Sequence, residues 1–382
     1  MKQNCWTTNN NKFGFLMNPD PIYDLRTVET PLPDQVVAHL QQLADTLPDL
    51  IKTHNLRPSL SDLATYEMSP LQEVTDFRIH ERIFQIYAHL ANAYVWCEQS
   101  NPLHTIPAGV AVPLVELAHM VDRPPIVPYA STALCNFQRI DPDGKIAVEN
   151  LRCVQKLIDI PDESWFHLIH VEIEAHAGAA IQHCIEATEA INTDNTGMIE
   201  QHLEGVTIAL AKMEQTFKRM PEGCSPDIYY KTLRPYLFGF DDVIYEGVAE
   251  FNGKPQTFRG ETGAQSTVIP ALQRYLGLQH EHGGLSSHMQ EMIAYMPRPH
   301  RELLRSIDEA TIRNYVINQQ SSTLNDIYNA CLQGIAQFRS LHLHMAQAYI
   351  ASKVEDPRGT GGTEFMFWLK QLRDETEKQY IH

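Results

Sequence analysis

The sequence predicts a mostly α-helical protein. A small mixed domain, mainly helical with little strand, is expected over residues 1–157, and a large all-helical domain over residues 158–382. Three observations carry this. From Glu163 on, apolar residues recur at three- and four-residue spacing through nearly every segment. Serine–proline helix openings stand at Ser69-Pro70 and Ser225-Pro226. Proline-broken and strand-like stretches end near residues 157–162.

Taken in order, Pro19, Pro21, Pro31 and Pro33 break the first segment. Ser69-Pro70-Leu71-Gln72 reads as a capped helix start. Leu71, Val74, Phe77, Phe84, Tyr87, Leu90 and Tyr94 then follow at helical spacing. Residues Asn101 to Pro113 are short pieces with room for a little strand, and Pro124 to Pro128 is another break. Helical patterning resumes near Ala130, and Ile140–Lys145 is a turn. Long helices are expected over Glu163–Ile191, Met198–Met220 and Ser321–Lys353. Shorter ones are expected from Ser225, over Ala264–Leu278 and over Thr363–Lys378. Phe251–Gly263 and Asp356–Gly362 read as glycine-rich loops.

Composition narrows the function classes. Thirty basic against 47 acidic residues leave a net charge of −17, which repels nucleic acid and anionic lipid. Seven widely spaced cysteines without a CxxC pair argue for a reducing compartment. The first residues lack an apolar signal core, and no apolar run is long enough to span a bilayer. The expected location is the cytoplasm.

The chemistry-bearing residues fall into four groups. On the last long helix, Ile335, Phe338, His342, Met345 and Tyr349 share one face, with Arg339 one turn from His342. A histidine in an apolar stripe is usually a core residue bonded to a neighbour. The sharper reading is an axial haem ligand, with Phe338 and Met345 as apolar wall and Arg339 as a cation beside a propionate. Phe166, His170, Ile173 and Ala177 share another helix face, followed by the small residues Ala175, Ala177, Gly178, Ala179 and Ala180. That face is either ordinary helix packing or a distal wall with His170 toward bound oxygen or substrate. Arg234 precedes Pro235, which is expected to break the helix and push Arg234 out of helical geometry. It is a helix-terminal cation, or a clamp for a carboxylate beside Tyr229 and Tyr230. Neither glycine loop carries a Walker lysine, so each is a connector or a lid rather than a nucleotide site.

Taken together, FRGETGAQS, SPDIYYKTLRPYL, VIYEG, YMPRPHRELL, FRSLHLH and RGTGGTEFMFWLKQLRDETEK, in this order, resemble the indoleamine 2,3-dioxygenase family from about Pro125 to Arg373. The resemblance implies a small mixed domain and a large helical domain holding haem b. It implies His342 as the iron ligand, with Arg339, Phe338 and Met345 around the haem. It also implies a substrate pocket of Arg234, Tyr229, Tyr129, Thr262, Gly263 and Thr360; the helix face of Phe166 and His170 is expected to join it, with Phe166 toward substrate and His170 as the catalytic-side residue. The reaction implied is insertion of O2 across the indole C2–C3 bond of tryptophan or a related indole, giving an N-formylkynurenine-type product. Family members are typically monomers.

Three residues depart from the family pattern. His170 stands where many members carry a small hydroxyl residue, and resembles instead the distal histidine of tryptophan 2,3-dioxygenases. Glu261 replaces a loop glycine, and Pro235 stiffens the chain after Arg234. All three bear on the identity of the substrate. The alternatives are a haem enzyme of the same superfamily acting on a modified tryptophan, as in antibiotic pathways, and a haem sensor without turnover. A di-iron oxygenase needs paired Glu-x-x-His motifs, and Glu116-x-x-His119 has no convincing partner.

Overall fold

Residues 79–95 are all buried on one helix, which fixes the centre of the first half of the chain. The structure, a computed structural model, describes residues 14–280, 284–353 and 365–382. Helices α1 (Asp34–Lys52), α2 (Phe77–Trp96) and α3 (Ala108–Val121) form that half. Because α2 is enclosed on every side, its polar groups need partners inside the protein. Arg123 donates to the Glu81 carboxylate in a buried ion pair. Arg82 donates to the side-chain oxygens of Gln85 (2.8 Å) and Gln155 (3.0 Å). The Asn92 amide donates to the Tyr236 carbonyl at 3.1 Å, tying α2 to the second half.

The expected helix start at Ser69 is corrected. Residues Ser69–Glu73 form only a 3-10 turn, and α2 begins eight residues later. Asp76 is the true cap: its carboxylate accepts from the Arg78 backbone N–H and holds the Arg78 guanidinium.

The second half is built on α4 (Pro161–Ile191), α5 (Thr196–Lys218), α6 (Ser322–Tyr349) and α7 (Phe365–Glu377). Pro161 opens α4 at a position where its missing N–H costs nothing. Glu163 then accepts from the backbone N–H groups of Leu157, Ile158 and Asp159, folding the incoming chain against the helix end. Asn195 caps α5 by accepting from the Met198 N–H. α4 and α5 run antiparallel across a four-residue turn, and α6 lays Gly334 against Leu210 of α5. The small-residue run of α4 serves packing. Ala177 and Ala180 are fully buried, and the Gly178 backbone lies against Gly14.

An all-helical second half is not what the structure contains. Five short strands occur among the described residues: β1 (Thr105–Ile106), β2 (Gln138–Arg139), β3 (Leu151–Arg152), β4 (Phe240–Tyr245) and β5 (Gln256–Phe258). β1 pairs parallel with β4, β4 pairs antiparallel with β5, and β2 pairs with β3. Strand therefore continues past residue 158, and one three-stranded sheet draws on both sides of that position. A strand of six residues or fewer gives too short an alternation to stand out beside helical periodicity. The buried apolar residues form a single cluster from Phe15 to Tyr349. Among the described residues no helix is long and apolar enough to cross a membrane.

Burial acts on two sets of titratable groups with opposite sign. It lowers His89 to about 4 and His167 and His300 to about 3, from 6.5. It raises Glu163, Glu174 and Glu261 to about 7, from 4.5. The depressed histidines contribute stability that is present above pH 6.5 and lost as the pH falls toward their folded values. The raised carboxyls contribute stability that is present below pH 4.5 and lost as the pH rises through 7. Between pH 4.5 and 6.5 the two sets oppose each other; below 4.5 the raised carboxyls no longer offset the histidines, each of which has a slope of up to ~1.4 kcal/mol per pH unit, and carboxylates that Arg partners hold low, such as Asp24 and Asp76, lose their stabilising contribution as well. Urea midpoints are expected to change little from pH 6.5 to 5 and to fall steeply below 4.5. A steady decline across the whole range would contradict this balance.

Candidate active site

The face of α6 anticipated from its spacing lines one wall of a cavity of about 440 Å³. Phe338, Arg339, His342 and Met345 all lie on that wall. α4 contributes Phe166 and His170, α5 contributes Phe217, and residues 261–264 with Ser266 line it as well. The Phe217 ring stands 6.0 Å from His342 and 6.3 Å from His170, so both imidazoles border the same chamber. The volume is in the range of sites for small ligands and cofactors.

His342 is half-exposed, its open surface facing the cavity. Among the described residues nothing hydrogen-bonds to its ring. Enclosure by apolar neighbours and the nearby His170 lower it to about 4, so it is a neutral imidazole at pH 7. That is the protonation state a metal ligand requires.

His170 is held in one tautomer. Its Nδ1 lies 2.7 Å from the Phe166 carbonyl, which can only accept, so Nδ1 carries the proton. Burial pushes its pKa down and keeps the ring neutral. Nε2 is therefore an acceptor. Phe166 packs 4.7 Å from His170 and 4.8 Å from Tyr229, so the three rings form one aromatic corner of the cavity.

The glycine-rich loop approaches this corner because two glycines touch. A Cβ on Gly260 would stand 2.3 Å from the Leu237 carbonyl and 2.4 Å from the Gly239 nitrogen. Gln265 then pins the loop, donating to the Gly260 carbonyl at 2.9 Å and accepting from the Tyr129 N–H at 2.8 Å. Thr262 and Gly263 reach the cavity as expected. Glu261 lines it too; its buried carboxyl accepts from the Thr132 hydroxyl at 3.3 Å, and burial raises it to about 7.

Three expected placements differ. Tyr129 does not line this cavity. It sits behind His170, 6.1 Å from it, with its hydroxyl donating to Glu174 at 3.0 Å. Arg234 is also not on the cavity wall: it is buried, with its guanidinium 4.8 Å over the Phe238 ring and 5.3 Å over Tyr230. Nor is it expelled from helical geometry by Pro235, since its φ is −53° and its ψ −36°. The chain absorbs the proline by changing pitch, from a π-helical stretch over Tyr229–Leu233 to a 3-10 turn over Arg234–Leu237. The π turn bonds the Arg234 N–H to the Tyr229 carbonyl, so Arg234 lies directly beyond the Tyr229 corner. Thr360 lies outside the described residues.

The contacts of two site residues carried no sequence signal. Glu174 accepts from Tyr129 and, at 2.6 Å, from Ser266. It stands one turn after His170, but only the fold reveals that it anchors the loop. Arg339 is bound more tightly than expected of a cation awaiting an anion. It donates to the Leu372 carbonyl at 2.8 Å, to the Thr376 hydroxyl and to His280 Nε2 at 3.3 Å, and so ties α6 to α7. His280 in turn donates from Nδ1 to Glu375 at 2.7 Å. The di-iron alternative finds no support: Glu116 accepts from the Met68 N–H, and His119 pairs with Glu250 at the surface.

The profile of the family Indoleamine 2,3-dioxygenase matches residues 10–379. Indoleamine 2,3-dioxygenase 1 of Rattus norvegicus is 30% identical over 365 residues, covering 89% of this chain and 88% of the relative. Indoleamine 2,3-dioxygenase of Saccharomyces cerevisiae is 28% identical over 392 residues, covering 88% and 86%. The 6-hydroxytryptophan 2,3-dioxygenase of Fusarium equiseti is 26% identical over 397 residues, covering 95% and 94%. With the opposed histidines, the aromatic corner and the glycine loop in one mostly helical fold, the chain belongs to the indoleamine 2,3-dioxygenase family of dioxygenase enzymes.

Proposed function

We propose that this enzyme is a haem-dependent dioxygenase that adds both atoms of O2 across the indole C2–C3 bond of tryptophan or a related indole, giving an N-formylkynurenine-type product. The observation that carries the reading is the pair His342 and His170 facing one cavity from different helices. The residues present fit haem b. His342 is a neutral imidazole on the wall, without a competing hydrogen bond among the described residues. Phe217, Phe338 and Met345 supply flat apolar surface. Arg339 is a buried cation on the same wall that would offset the charge of a haem propionate, although its hydrogen bonds already tie it to Leu372, Thr376 and His280.

Bound haem supplies the iron that activates O2; the protein supplies position and dryness. Phe166 and Tyr229 are the rings against which an indole stacks. His170 Nε2 accepts the indole N–H, which fixes the ring edge-on to that helix. The fixed tautomer makes it a positioning acceptor and rules it out as a hydrogen-bond donor to oxygen. Arg234 stands one π turn beyond Tyr229 and off the cavity wall, so as the clamp for the substrate carboxylate it would have to reach the ligand past the Tyr229 corner. Thr262 and Gly263 close the remaining side against water.

Haem-loaded, reduced protein is expected to convert L-tryptophan and O2 to N-formylkynurenine, detected by absorbance and mass. His342→Ala is expected to lose stoichiometric haem. Full haem occupancy with an unchanged axial-histidine spectrum in that variant would overturn the ligand assignment. The role of His170 has its own readout. Methylating the indole nitrogen is expected to lower kcat/KM roughly three- to ten-fold in the wild type, the worth of one hydrogen bond, and little in His170→Ala. Equal discrimination by both proteins would show that His170 does not read the N–H.

One observation favours a modified indole as substrate: the buried Glu261 carboxyl on the cavity wall. A carboxyl on the wall can accept from a hydrogen-bond donor on the ligand, such as a ring hydroxyl, beside its bond from Thr132. Glu261→Gly is expected to lower kcat/KM for a hydroxylated tryptophan by roughly three- to ten-fold relative to tryptophan itself. An equal change for both substrates would leave Glu261 with no part in selection.

A further inference from the structure

Two histidines and a carboxylate converge between α4 and α5, well away from the cavity. His183 Nδ1 and His202 Nδ1 are 3.2 Å apart. Glu186 Oε2 lies 3.1 Å from His202 Nδ1 and 3.6 Å from His183 Nδ1. His183 follows His170 by 13 residues on α4, which places the group ~20 Å along the helix from the distal histidine.

We propose that His183, Glu186 and His202 form a site for a divalent transition metal of the zinc class, clamping α4 to α5. The triangle of donor atoms has the right size. Zinc bonds of 2.0–2.1 Å at tetrahedral angles put neighbouring donors about 3.3 Å apart, and the three edges bracket that figure. An octahedral magnesium site needs edges nearer 3.0 Å and oxygen donors, and imidazole selects against both magnesium and calcium. Three protein ligands leave one position for water. The site can receive it, because the side chains of His183 and Glu186 are 34% and 36% exposed.

Two neighbouring features support a built arrangement. Gln182 donates to Glu186 Oε1 at 2.9 Å, leaving Oε2 to face the histidines, as outer partners of metal ligands do. Gly205, one turn after His202, makes room for the His183 ring: a Cβ there would stand 2.4 Å from His183 Nε2. The ring lies flat on helix backbone, with Nδ1 directed at His202.

The test is equilibrium dialysis of the haem-loaded protein against Zn2+, with zinc counted by atomic emission and its environment read by X-ray absorption. Wild type is expected to hold one zinc more per chain than His202→Ala or Glu186→Gln, coordinated by nitrogen and oxygen at about 2.0–2.1 Å. Its thermal midpoint is expected to rise with zinc while those of the variants do not. Gly205→Ala keeps all three ligands but displaces His183, and is expected to weaken zinc binding at least about ten-fold. Unchanged circular dichroism and haem spectra in Glu186→Gln and Gly205→Ala separate lost binding from lost folding. Equal zinc uptake by wild type and all three variants, uptake of Mg2+ in place of Zn2+, or sulfur in the zinc coordination shell would overturn the proposal.

Discussion

A single buried carboxyl, Glu174, joins the three parts that shape the cavity. It belongs to α4, one turn from His170, and it accepts from Ser266 of the glycine loop and from Tyr129 of the first half of the chain. All of this passes through Oε1; Oε2 is buried without a partner among the described residues. A carboxyl with one satisfied and one buried oxygen holds its proton more firmly, which agrees with its rise to about 7. The arrangement costs desolvation energy. In return the loop, α4 and the segment around Tyr129 keep one relative position, and the aromatic corner keeps its shape.

The second constraint is tautomeric. An imidazole near a cavity is chemically ambiguous until one nitrogen is committed. The Phe166 carbonyl commits His170 Nδ1, and the apolar surroundings keep the ring neutral. His342 has the opposite circumstances: no partner among the described residues, and the same neutrality. The two histidines thus differ in role because of what surrounds them, and the difference is set before any ligand arrives.

Much of this was legible in the sequence. The α6 stripe of Phe338, His342 and Met345 could be read from spacing alone, because a helix projects residues three and four apart onto one side. Phe166 and His170 could be read the same way on α4. What spacing misses is contact between distant segments. Nothing local to Tyr129 says that its hydroxyl is spent on Glu174, 45 residues on. Nothing local to Arg339 says that Leu372 and Thr376 will engage it. The strands β4 and β5 escaped because each is short and flanked by helical pattern, and β1, which pairs with β4, is some 140 residues upstream of it in the case of Thr105 and Ile244. The small-residue run on α4 marks close approach without naming what approaches: packing is what it serves, and only the fold shows that Gly14 is one neighbour.

The π turn at Tyr229–Leu233 has a consequence for how this chain aligns with its relatives. A hydrogen bond from residue 234 back to residue 229 spans one residue more than an α turn does. Deleting any single residue between them would restore ordinary pitch and swing Arg234 by about 100° around the helix axis relative to Tyr229. Every side chain at that corner would still be present in the sequence, yet the aromatic wall and the cation would point apart. At this place the number of residues matters as much as their identity. A one-residue gap in an alignment here is a change of site, even between chains that share every named residue.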